Sequence, residues 1–433
     1  MTSDLFARDF KAAPYWWDTR EAAAIQSADL PEKADVVIVG SGYTGLCAAL
    51  ETASAGRSIV VLDAEDAGWG CSTRNGGLIG NDLKPDFRKL VARHGEKAAR
   101  EIIAEGPASL DWIKDFVTTQ GIDCDFLTAG RFHGAHTPGR FEALARARTN
   151  RPDEADREPA EVIPKAEMHR FIDTDFYHGG VFHPEHATLN PARFHAGLLE
   201  RALAAGATLV TGCRATGLYR EGIGHRVLTG RGDIEARDVI VATNGYTGPL
   251  VPWLRRRIVP IGSYIIATEE LPRDILDRLM PTDAALTDTR EVVYYYRPSP
   301  DRRRVVFGGR VTGGETDPER AAPLLYSDLC ALFPELREVR VSHAWKGTVA
   351  YTFDEMPHLG SRDGIHYSLG YCGSGVAMAG YLGTRLARRL LGLEDATRGL
   401  QHVPMKTRPF YTGNPWFMPA VVQYYRLKDR LAR

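Results

Sequence analysis

Three glycines near the start of the chain have the spacing of a site that binds a dinucleotide. Gly40, Gly42 and Gly45 form a GxGxxG pattern between an apolar stretch and an amphipathic one. The first glycine permits a tight turn, the second lets a pyrophosphate approach the backbone, and the third lets the helix pack closely on the strand. Asp63 ends the next apolar stretch, where its carboxylate can accept hydrogen bonds from ribose hydroxyls. Residues 34–63 are therefore predicted to form a dinucleotide-binding βαβ unit.

Two further glycine clusters indicate which dinucleotide is bound. Residues 68–80 read GWGCSTRNGGLIG, and residues 370–375 precede an apolar run that begins at Val376 with helical spacing. A nicotinamide enzyme has no evident need for the first cluster, whereas FAD is longer and requires close backbone approach along its ribityl chain and ring. The second cluster would direct a positive helix end and free backbone amides at the ligand. The alternative for residues 68–80 is a mobile surface loop, and the alternative for residues 370–375 is an ordinary helix start.

Composition excludes several classes of protein. The chain has 433 residues, of which 44% are hydrophobic and 25% charged, so it is long enough for two domains with sizeable cores. Lys and Arg number 54 against 55 Asp and Glu, and without a basic block nucleic acid is not an expected partner. No run approaches the roughly 18 apolar residues of a membrane span. The start resembles no signal peptide and the six cysteines are scattered, which predicts a cytoplasmic enzyme without a metal site.

Periodicity predicts the elements that position these clusters. A helical insertion is expected over residues 87–120, a solvated helix and loop over 140–167, and a helix over 190–205 with Asn190 as its cap and Pro191 in its first turn. Strands at 207–211 and 238–242 bracket a predicted hairpin, and residues 292–310 predict another hairpin that reverses at 298–302. The segment after residue 363 repeats the order strand, glycine turn, helix. A dinucleotide-binding architecture is thus expected to be interrupted and resumed.

Seven motifs carry a resemblance to a known family. They are YWWDT, ADVVIVGSGYTGL, GWGCSTRNGG, VIVATNGYT, FDEMPHLG, GYCGSGVAMAGYLG and PFYTGNPWFMPAVVQYYRLKD, and they run in this order from residue 15 to residue 429. Together they resemble the D-amino-acid-oxidase superfamily, which includes glycine and sarcosine oxidases. Within it, the chain is most similar to the gamma-glutamylputrescine oxidoreductase branch.

The resemblance implies an α/β fold of α+β two-domain type. A glutathione-reductase-type FAD-binding domain would be interleaved with a substrate domain of antiparallel or mixed sheet plus helices. The FAD-binding segments would be residues 30–86, 176–248 and 343–396. The substrate segments would be residues 87–175, with the helical insertion, and 249–342, and a tail would follow over 397–433.

FAD is the expected cofactor, held without a covalent bond. The branch's covalent cysteine falls at Val349, and whether Cys71 or Cys372 tethers the flavin is left open. The STRNGG segment is where the family places an arginine against the flavin. The expected FAD-binding residues are Gly40, Ser41, Gly42, Tyr43, Thr44, Gly45, Asp63, Ala64, Gly70, Cys71, Ser72, Arg74, Asn75, Gly76, Gly77, Leu78, Arg214, Ala215, Thr243, Asn244, Gly245, Gly373, Ser374, Gly375 and Val376.

The activity implied is oxidation of an amine. Hydride would pass from the carbon beside the nitrogen to the flavin, the imine would hydrolyse, and O₂ would accept the electrons and form H₂O₂. The expected substrate resembles gamma-glutamylputrescine or is another primary or secondary amine. The alternatives are a dehydrogenase of the same fold that oxidises a cyclic imino acid or amine and reduces an acceptor other than O₂, and a flavin-binding protein without catalysis.

Four residues are the expected catalytic candidates. On a strand, Tyr295 points opposite to its two tyrosine neighbours, and Tyr351 matches an aromatic position near the substrate in sarcosine oxidases. Arg310 could reach an anionic group of the substrate or pair at the surface. Lys346 could supply the positive charge that helps oxygen accept electrons, or could be a solvated lysine.

Two departures from the sarcosine-oxidase branch bear on the substrate. The lysine and arginine that hold a substrate carboxylate there fall near Ala377 and Gly77, so both charges are lost. This argues against a small α-amino acid held in the same way. A polyamine-derived or other longer amine fits better.

Overall fold

The apolar segments around the GxGxxG pattern form adjacent parallel strands joined by a helix. A computed structural model describes residues 5–20, 27–149, 159–309, 314–393, 399–400 and 403–431. Residues 33–39 pair in parallel with residues 59–62, and the helix between them begins at Tyr43. This confirms the predicted βαβ unit.

The strands, numbered along the chain, are β1 (Phe6–Lys11), β2 (Lys33–Val39), β3 (Ile59–Leu62), β4 (Leu78–Ile79), β5 (Arg131–Gly134), β6 (Glu161–Pro164), β7 (Gly179–His183), β8 (Ala187–Thr188), β9 (Thr208–Val210), β10 (Ala215–Glu221), β11 (Gly224–Thr229), β12 (Gly232–Val241), β13 (Val259–Thr268), β14 (Ala285–Asp288), β15 (Tyr294–Pro298), β16 (Val305–Gly309), β17 (Val341–Tyr351), β18 (His358–Arg362) and β19 (Ile365–Leu369).

The helices are α1 (Tyr43–Ser54), α2 (Phe87–His94), α3 (Glu96–Ile103), α4 (Glu105–Gln120), α5 (Pro138–Thr149), α6 (Pro191–Ala204), α7 (Pro252–Arg255), α8 (Arg273–Leu279), α9 (Pro318–Leu332), α10 (Gly375–Leu390) and α11 (Met418–Leu431). Short 3₁₀ turns occur at Tyr15–Trp17, Cys71–Thr73, Lys165–Arg170, Asn244–Tyr246 and Pro334–Glu338. Among the described residues, no helix has the length and apolar character needed to cross a membrane.

An eight-stranded sheet carries the dinucleotide unit. Its order is β10-β11-β12-β2-β3-β9, and β19 pairs in parallel with β12 and antiparallel with β18. Helices α1, α4, α6 and α10 bury one apolar cluster against one face of this sheet, and a second cluster covers the other face. Between β9 and β12 the sequence predicted one hairpin; the three antiparallel strands β10, β11 and β12 form two in succession.

A nine-stranded mixed sheet forms the second layer. Its order is β1-β17-β13-β16-β15-β14-β5-β7-β6. The predicted hairpin of residues 292–310 is confirmed by β15 and β16, which pair antiparallel. Helix α9 packs against β13, β16 and β17 and buries an apolar cluster on one face, so the opposite face is turned towards the dinucleotide unit.

Three strands of this sheet differ from the expected segment boundaries. β1 lies before the first expected segment, which begins at residue 30, and pairs with β17. β7 lies within the residues expected for the FAD-binding domain, and β17 crosses the expected boundary at residues 342–343. An apolar strand pattern does not say which of two sheets the strand joins, because that choice depends on pairing between residues far apart in the chain.

Candidate active site

Two cavities meet between the two sheets. The first has a volume of about 580 Å³ and is lined by the GxGxxG turn, the end of β3 and the loops after residues 67, 212, 242 and 371. The second, of about 1020 Å³, extends beneath the nine-stranded sheet. Five residues border both cavities: Cys71, Asn75, Val349, Gly373 and Val376. All three glycine clusters predicted from sequence are therefore at or beside the first cavity.

The glycine turn leaves no room for side chains on its inner side. A Cβ at Gly45 would lie 2.0 Å from the carbonyl oxygen of Gly40, so the third glycine lets α1 pack directly on the end of β2. Gly40 has a φ of +107°, and a Cβ there would lie 2.9 Å from the carbonyl oxygen of Ala242. This arrangement leaves the backbone amides at the start of α1 open to the first cavity, where a pyrophosphate fits.

Asp63 lies at the end of β3, beside the glycine turn. Its Oδ2 accepts hydrogen bonds from Ser41 N at 2.9 Å and from Ser41 Oγ at 2.5 Å, and its Oδ1 accepts one from Glu65 N at 3.0 Å. These bonds hold the carboxylate in the first cavity, which Ala64 and Arg214 also line. Arg214 pairs there with Glu65 at 3.0 Å.

The second glycine cluster is held by its own side chains. Tyr43 N donates to Ser72 Oγ at 3.1 Å, which joins this loop to the start of α1. Asn75 Nδ2 donates to the Cys71 carbonyl at 3.1 Å, and its Oδ1 accepts from Gly77 N at 2.9 Å. Gly77 has a φ of +71°, and a Cβ there would lie 2.1 Å from the Leu189 carbonyl oxygen. This position cannot carry the arginine found in the sarcosine-oxidase branch.

Arg74 lies under two indole rings at the edge of the second cavity. Its guanidinium carbon lies 4.8 Å from the Trp17 ring centroid and 4.9 Å from that of Trp69. Nε donates to the Trp69 carbonyl at 2.6 Å, and Nη1 donates to the Lys346 carbonyl at 3.3 Å. The guanidinium is fixed between the glycine loop and β17, and the side chain lines the second cavity.

The third glycine cluster brings the start of α10 to the junction of the cavities. Ser374 precedes the helix, but its hydroxyl donates to the Asp82 carbonyl at 2.7 Å and does not cap the helix. Cys372 has a φ of +52°, and its amide donates to the Ala350 carbonyl at 3.0 Å. Burial raises the pKa of the Cys71 and Cys372 thiols to about 11, so both remain protonated near neutral pH.

Tyr295 lines the second cavity on the face of the sheet towards the glycine loop. Its hydroxyl lies 2.8 Å from Ser263 Oγ, and its ring packs so closely on Gly308 that a Cβ there would lie 2.3 Å from a ring carbon. Tyr294 and Tyr296 are buried in the core under α9, as strand alternation predicted. Burial raises the pKa of Tyr295, so the phenol stays neutral.

The other three catalytic candidates have different placements. Tyr351, at the end of β17, lines the second cavity. Lys346 lines neither cavity: its Nζ lies 3.0 Å from Glu315 Oε2, while the flanking Trp345 and Gly347 contact Arg74. Strand alternation sends Lys346 away from the glycine loop, so its placement gives no support to a role beside the cofactor. Arg310 lies outside the described residues.

The expected FAD-binding residues fall into three groups. Those on the wall of the first cavity are Gly40, Ser41, Gly42, Tyr43, Thr44, Asp63, Ala64, Gly70, Cys71, Ser72, Asn75, Arg214, Ala215, Thr243, Asn244, Gly373, Gly375 and Val376. Those on the wall of the second only are Arg74, Gly76, Leu78 and Ser374. Gly45, Gly77 and Gly245 line neither and instead permit close backbone contacts; a Cβ at Gly245 would lie 2.8 Å from the Thr348 carbonyl oxygen.

Two supporting residues were missed by sequence reasoning. His195 is fully buried in α6, and its Nε2 donates to the Ser41 carbonyl at 2.8 Å. Burial lowers the pKa of His195 to about 4, so the ring is neutral. The Tyr371 hydroxyl lies 2.5 Å from Thr44 Oγ1, which joins the third glycine cluster to α1. A histidine in an apolar helix face offered a signal, but its partner is 154 residues away in sequence.

Comparisons with known proteins agree with this geometry. A family model described as "FAD dependent oxidoreductase", DAO, matches residues 35–389. Gamma-glutamylputrescine oxidoreductase from Escherichia coli K12 is 31% identical over 402 residues, covering 92% of this chain and 93% of the relative. A probable oxidoreductase OrdL from Haemophilus influenzae is 27% identical over 98% of this chain and 99% of the relative.

The fold is also that of solved enzymes. The crystal structure of glycine oxidase from Geobacillus kaustophilus superposes with a TM-score of 0.74 at 18% identity, covering 88% of this chain and 99% of the other. FAD requires close backbone approach along an open cavity. The glycine turn, the end of β3 and the loops at residues 68–80 and 370–375 provide both. The chain is therefore a member of the DAO family of FAD-dependent oxidoreductases.

Proposed function

We propose that the protein oxidises the carbon-nitrogen bond of a long amine resembling gamma-glutamylputrescine. The observation that carries this proposal is the second cavity, of about 1020 Å³, which adjoins the first cavity and extends under the sheet as far as β5 and β7. A small amino acid would fill little of it. The relative named gamma-glutamylputrescine oxidoreductase, at 31% identity, supports the same choice.

The residues of the first cavity would hold FAD. The start of α1 would face the pyrophosphate, Asp63 the ribose, and the loops at Arg74 and Gly373 the flavin end. When bound, FAD accepts a hydride from the carbon next to the amine nitrogen and so supplies the redox chemistry. We also propose that it is held without a covalent bond, because Cys71 and Cys372 are buried thiols whose raised pKa disfavours the reactive thiolate.

Aromatic walls would prepare the amine for hydride loss. Tyr295 and Tyr351 exclude water from the cavity wall, and an ammonium group in such surroundings loses solvation, which lowers its pKa and favours the neutral amine. The neutral phenol of Tyr295 also offers a ring face to a cation that is still protonated. The hydrogen bond to Ser263 fixes the ring in that orientation.

The electron acceptor is proposed to be O₂, with a second candidate that one observation favours. Lys346 forms an ion pair with Glu315 and lines neither cavity, so it is not placed to help oxygen accept electrons. This favours a dehydrogenase that oxidises an amine or a cyclic imino acid and passes electrons to another acceptor. The six cysteines are free thiols, which supports a reducing compartment such as the cytoplasm.

An anaerobic titration of the purified holoprotein tests the substrate. The visible flavin band is recorded while gamma-glutamylputrescine, putrescine, sarcosine or pipecolate is added. We expect gamma-glutamylputrescine to bleach the band at the lowest concentration. Bleaching only by sarcosine or pipecolate would overturn the proposed substrate, and a band that no amine bleaches would remove amine oxidation altogether.

Admission of air to the bleached protein tests the acceptor. Recolouring within the turnover time, with H₂O₂ formed in equal amount to the substrate consumed, is expected of an oxidase. Slow recolouring in air together with rapid recolouring by a soluble quinone would establish the dehydrogenase instead.

A further inference from the structure

The part of the second cavity under β5 and β7 carries a cluster of charged and polar side chains, and this cluster adjoins the third glycine cluster where Ser374 Oγ donates to the Asp82 carbonyl. Arg131 and His133 point into this part of the cavity from β5, His183 from β7, and Asp82 and Lys84 from the loop after β4. Tyr295 and Tyr351 line the cavity from β15 and β17, and Lys84 lies between the two groups, since its Cε and the Tyr351 hydroxyl are each 3.9 Å from the position of a Cβ at Gly373. The cavity therefore has an aromatic wall under β15 and β17 and a charged wall under β5 and β7.

Strand register fixes how far apart the two walls lie. Tyr295 on β15 is opposite Thr287 on β14, which is opposite His133 on β5, so the three side chains form one row on the inner face of the sheet. His133 Nδ1 lies 2.9 Å from Thr287 Oγ1. Two strand spacings separate Tyr295 from His133 by about 10 Å, and Arg131 lies two residues along β5 on the same face.

Arg131 retains free donor capacity at the charged wall. Its Nη2 pairs with Asp82, and its Nη1 donates to no acceptor among the described residues; Nε also lacks an acceptor there but is itself buried. A guanidinium has five N–H donors, and its planar fork matches a carboxylate. The arginine side chain is 19% exposed and that of Asp82 is 47% exposed, so both can be reached from the cavity.

The charges of this cluster are unequal. Arg131 and Lys84 are cations and Asp82 is an anion, because Arg131 and the nearby histidines lower its pKa although burial alone would raise it. Burial, with Arg131 next in effect, lowers the pKa of His133 to about 3, so that ring is neutral. Three other carboxylates line the cavity wall: Asp288 pairs with Arg290, Glu291 pairs with Lys428 and Arg140, and Glu355 lies in the turn after β17.

We infer that Arg131 and Asp82 form a subsite for a zwitterionic head at the far end of the substrate, with the substrate carboxylate on Arg131 and its ammonium on Asp82. The inference rests on the proposed function. In gamma-glutamylputrescine, nine bonds separate the α-carbon of the glutamyl head from the terminal amine, a reach of about 11 Å in an extended chain. This reach is comparable to the spacing of about 10 Å between the strand positions of Tyr295 and His133.

The subsite explains two features of the chain. The positions that hold a substrate carboxylate near the flavin in the sarcosine-oxidase branch are Gly77 and Ala377 here, and Arg131 would supply a positive charge from β5 instead. A plain diamine would place a second ammonium where cations outnumber the carboxylate. The subsite therefore selects against putrescine as well as for the glutamyl head.

Steady-state kinetics of the holoenzyme test the subsite. In Arg131→Gln, we expect KM for gamma-glutamylputrescine to rise roughly ten- to hundredfold, the loss typical of a hydrogen bond to a charged group, with little change in kcat. The ratio of kcat/KM for gamma-glutamylputrescine to that for putrescine should fall by a similar factor. Arg131→Lys should recover part of the affinity, because it keeps the charge without the fork.

Binding measurements separate recognition from chemistry. Calorimetry with gamma-glutamylbutylamide, which has the head but no terminal amine, should show binding to the wild type and a matching loss of affinity in Arg131→Gln. Arg131→Gln alone leaves the Asp82 carboxylate unpaired and can fold poorly for that reason. The double variant Asp82→Asn with Arg131→Gln removes that carboxylate as well, and it is expected to show the same loss of affinity. Arg278→Met is the matched control, because Arg278 lies on α8 and forms an exposed pair with Glu335 of the last 3₁₀ turn.

The outcomes distinguish this inference from the proposed function. If gamma-glutamylputrescine does not bleach the wild-type flavin but another amine does, the proposed substrate is wrong. If the wild type oxidises gamma-glutamylputrescine while Arg131→Gln and the double variant keep its KM and its affinity for gamma-glutamylbutylamide, the subsite is wrong. A fall in kcat with unchanged KM would also overturn it, because that pattern indicates a role in the chemical step.

Discussion

Replacing Gly45 by alanine tests whether the third glycine acts through close packing of helix on strand. The added Cβ would lie 2.0 Å from the Gly40 carbonyl oxygen, whereas ordinary contact begins at 3.4 Å. Helix α1 would have to withdraw from β2 by about 1.4 Å. On its other side, α1 meets α10 so closely that a Cβ at Gly383 would lie 2.4 Å from the Thr44 carbonyl oxygen. Withdrawal therefore displaces α10 as well.

The cost follows from this confinement. Overpacking a well-packed interior costs about 1–3 kcal/mol, and backbone atoms on both sides of α1 place Gly45→Ala at the upper end. If the displacement moves the amides at the start of α1 away from the pyrophosphate, FAD affinity falls by about a hundredfold.

Reconstitution of the apoprotein provides the assay. Quenching of flavin fluorescence during titration gives the dissociation constant of FAD, and thermal unfolding of the apoprotein shows whether the variant is folded. Gly139→Ala is the matched control, since a Cβ there meets nothing within 4 Å and the residue lies in α5. Wild-type FAD affinity in Gly45→Ala, with unfolding also unchanged, would refute the packing argument.

Three further substitutions test the site and the core. Tyr295→Phe keeps the ring and loses one hydrogen bond, so flavin reduction followed by stopped flow should slow by less than about tenfold, whereas Tyr295→Ala should cost more. Glu105→Gln breaks a buried pair between α4 and Arg385 of α10 and should lower the free energy of unfolding in urea by about 3–5 kcal/mol. Burial raises the pKa of Asp354, but its bond from His358 at 3.0 Å more than offsets this, and the net shift is downward. The ionised carboxylate of Asp354 stabilises the fold above the unfolded pKa of about 4, and this contribution is lost as pH falls through the lower pKa of the folded state. Asp354→Asn should therefore lose less stability than the wild type as pH falls below 4.

Exposed ion pairs provide the controls for the substitutions of Glu105 and Asp354. Glu96→Gln removes an exposed pair with Arg100 and should change the free energy of unfolding by no more than about 0.5 kcal/mol. Equal effects of Glu96→Gln and Glu105→Gln would contradict the reasoning about burial. Asp363 forms an exposed pair with Arg362, so Asp363→Asn should leave the loss of stability below pH 4 as it is in the wild type. If Asp354→Asn loses as much stability below pH 4 as the wild type does, the stabilising role given to the Asp354 carboxylate is contradicted.

Sequence reasoning reached the local features because each depends on neighbours in the chain. The βαβ unit around Gly40 and Gly45, the cap at Asn190 and the alternation of Tyr294, Tyr295 and Tyr296 all follow from periods of two to four residues. The family resemblance and its cofactor followed from the order of the glycine clusters, and both are confirmed.

By itself, then, the sequence determined the secondary structure around the glycine turns and the cofactor class, and it predicted Tyr295 and Tyr351 as aromatic residues of the substrate side. Only the tertiary structure decided that β1, β7 and β17 join the same sheet, that Lys346 turns away towards Glu315, and that Arg131 lies in one cavity with Tyr295. Arg131 and Tyr295 are 164 positions apart and are brought together by pairing of β15, β14 and β5. Pairing between distant strands leaves no short-range pattern in sequence, so the charged wall of the cavity became visible only in the folded chain.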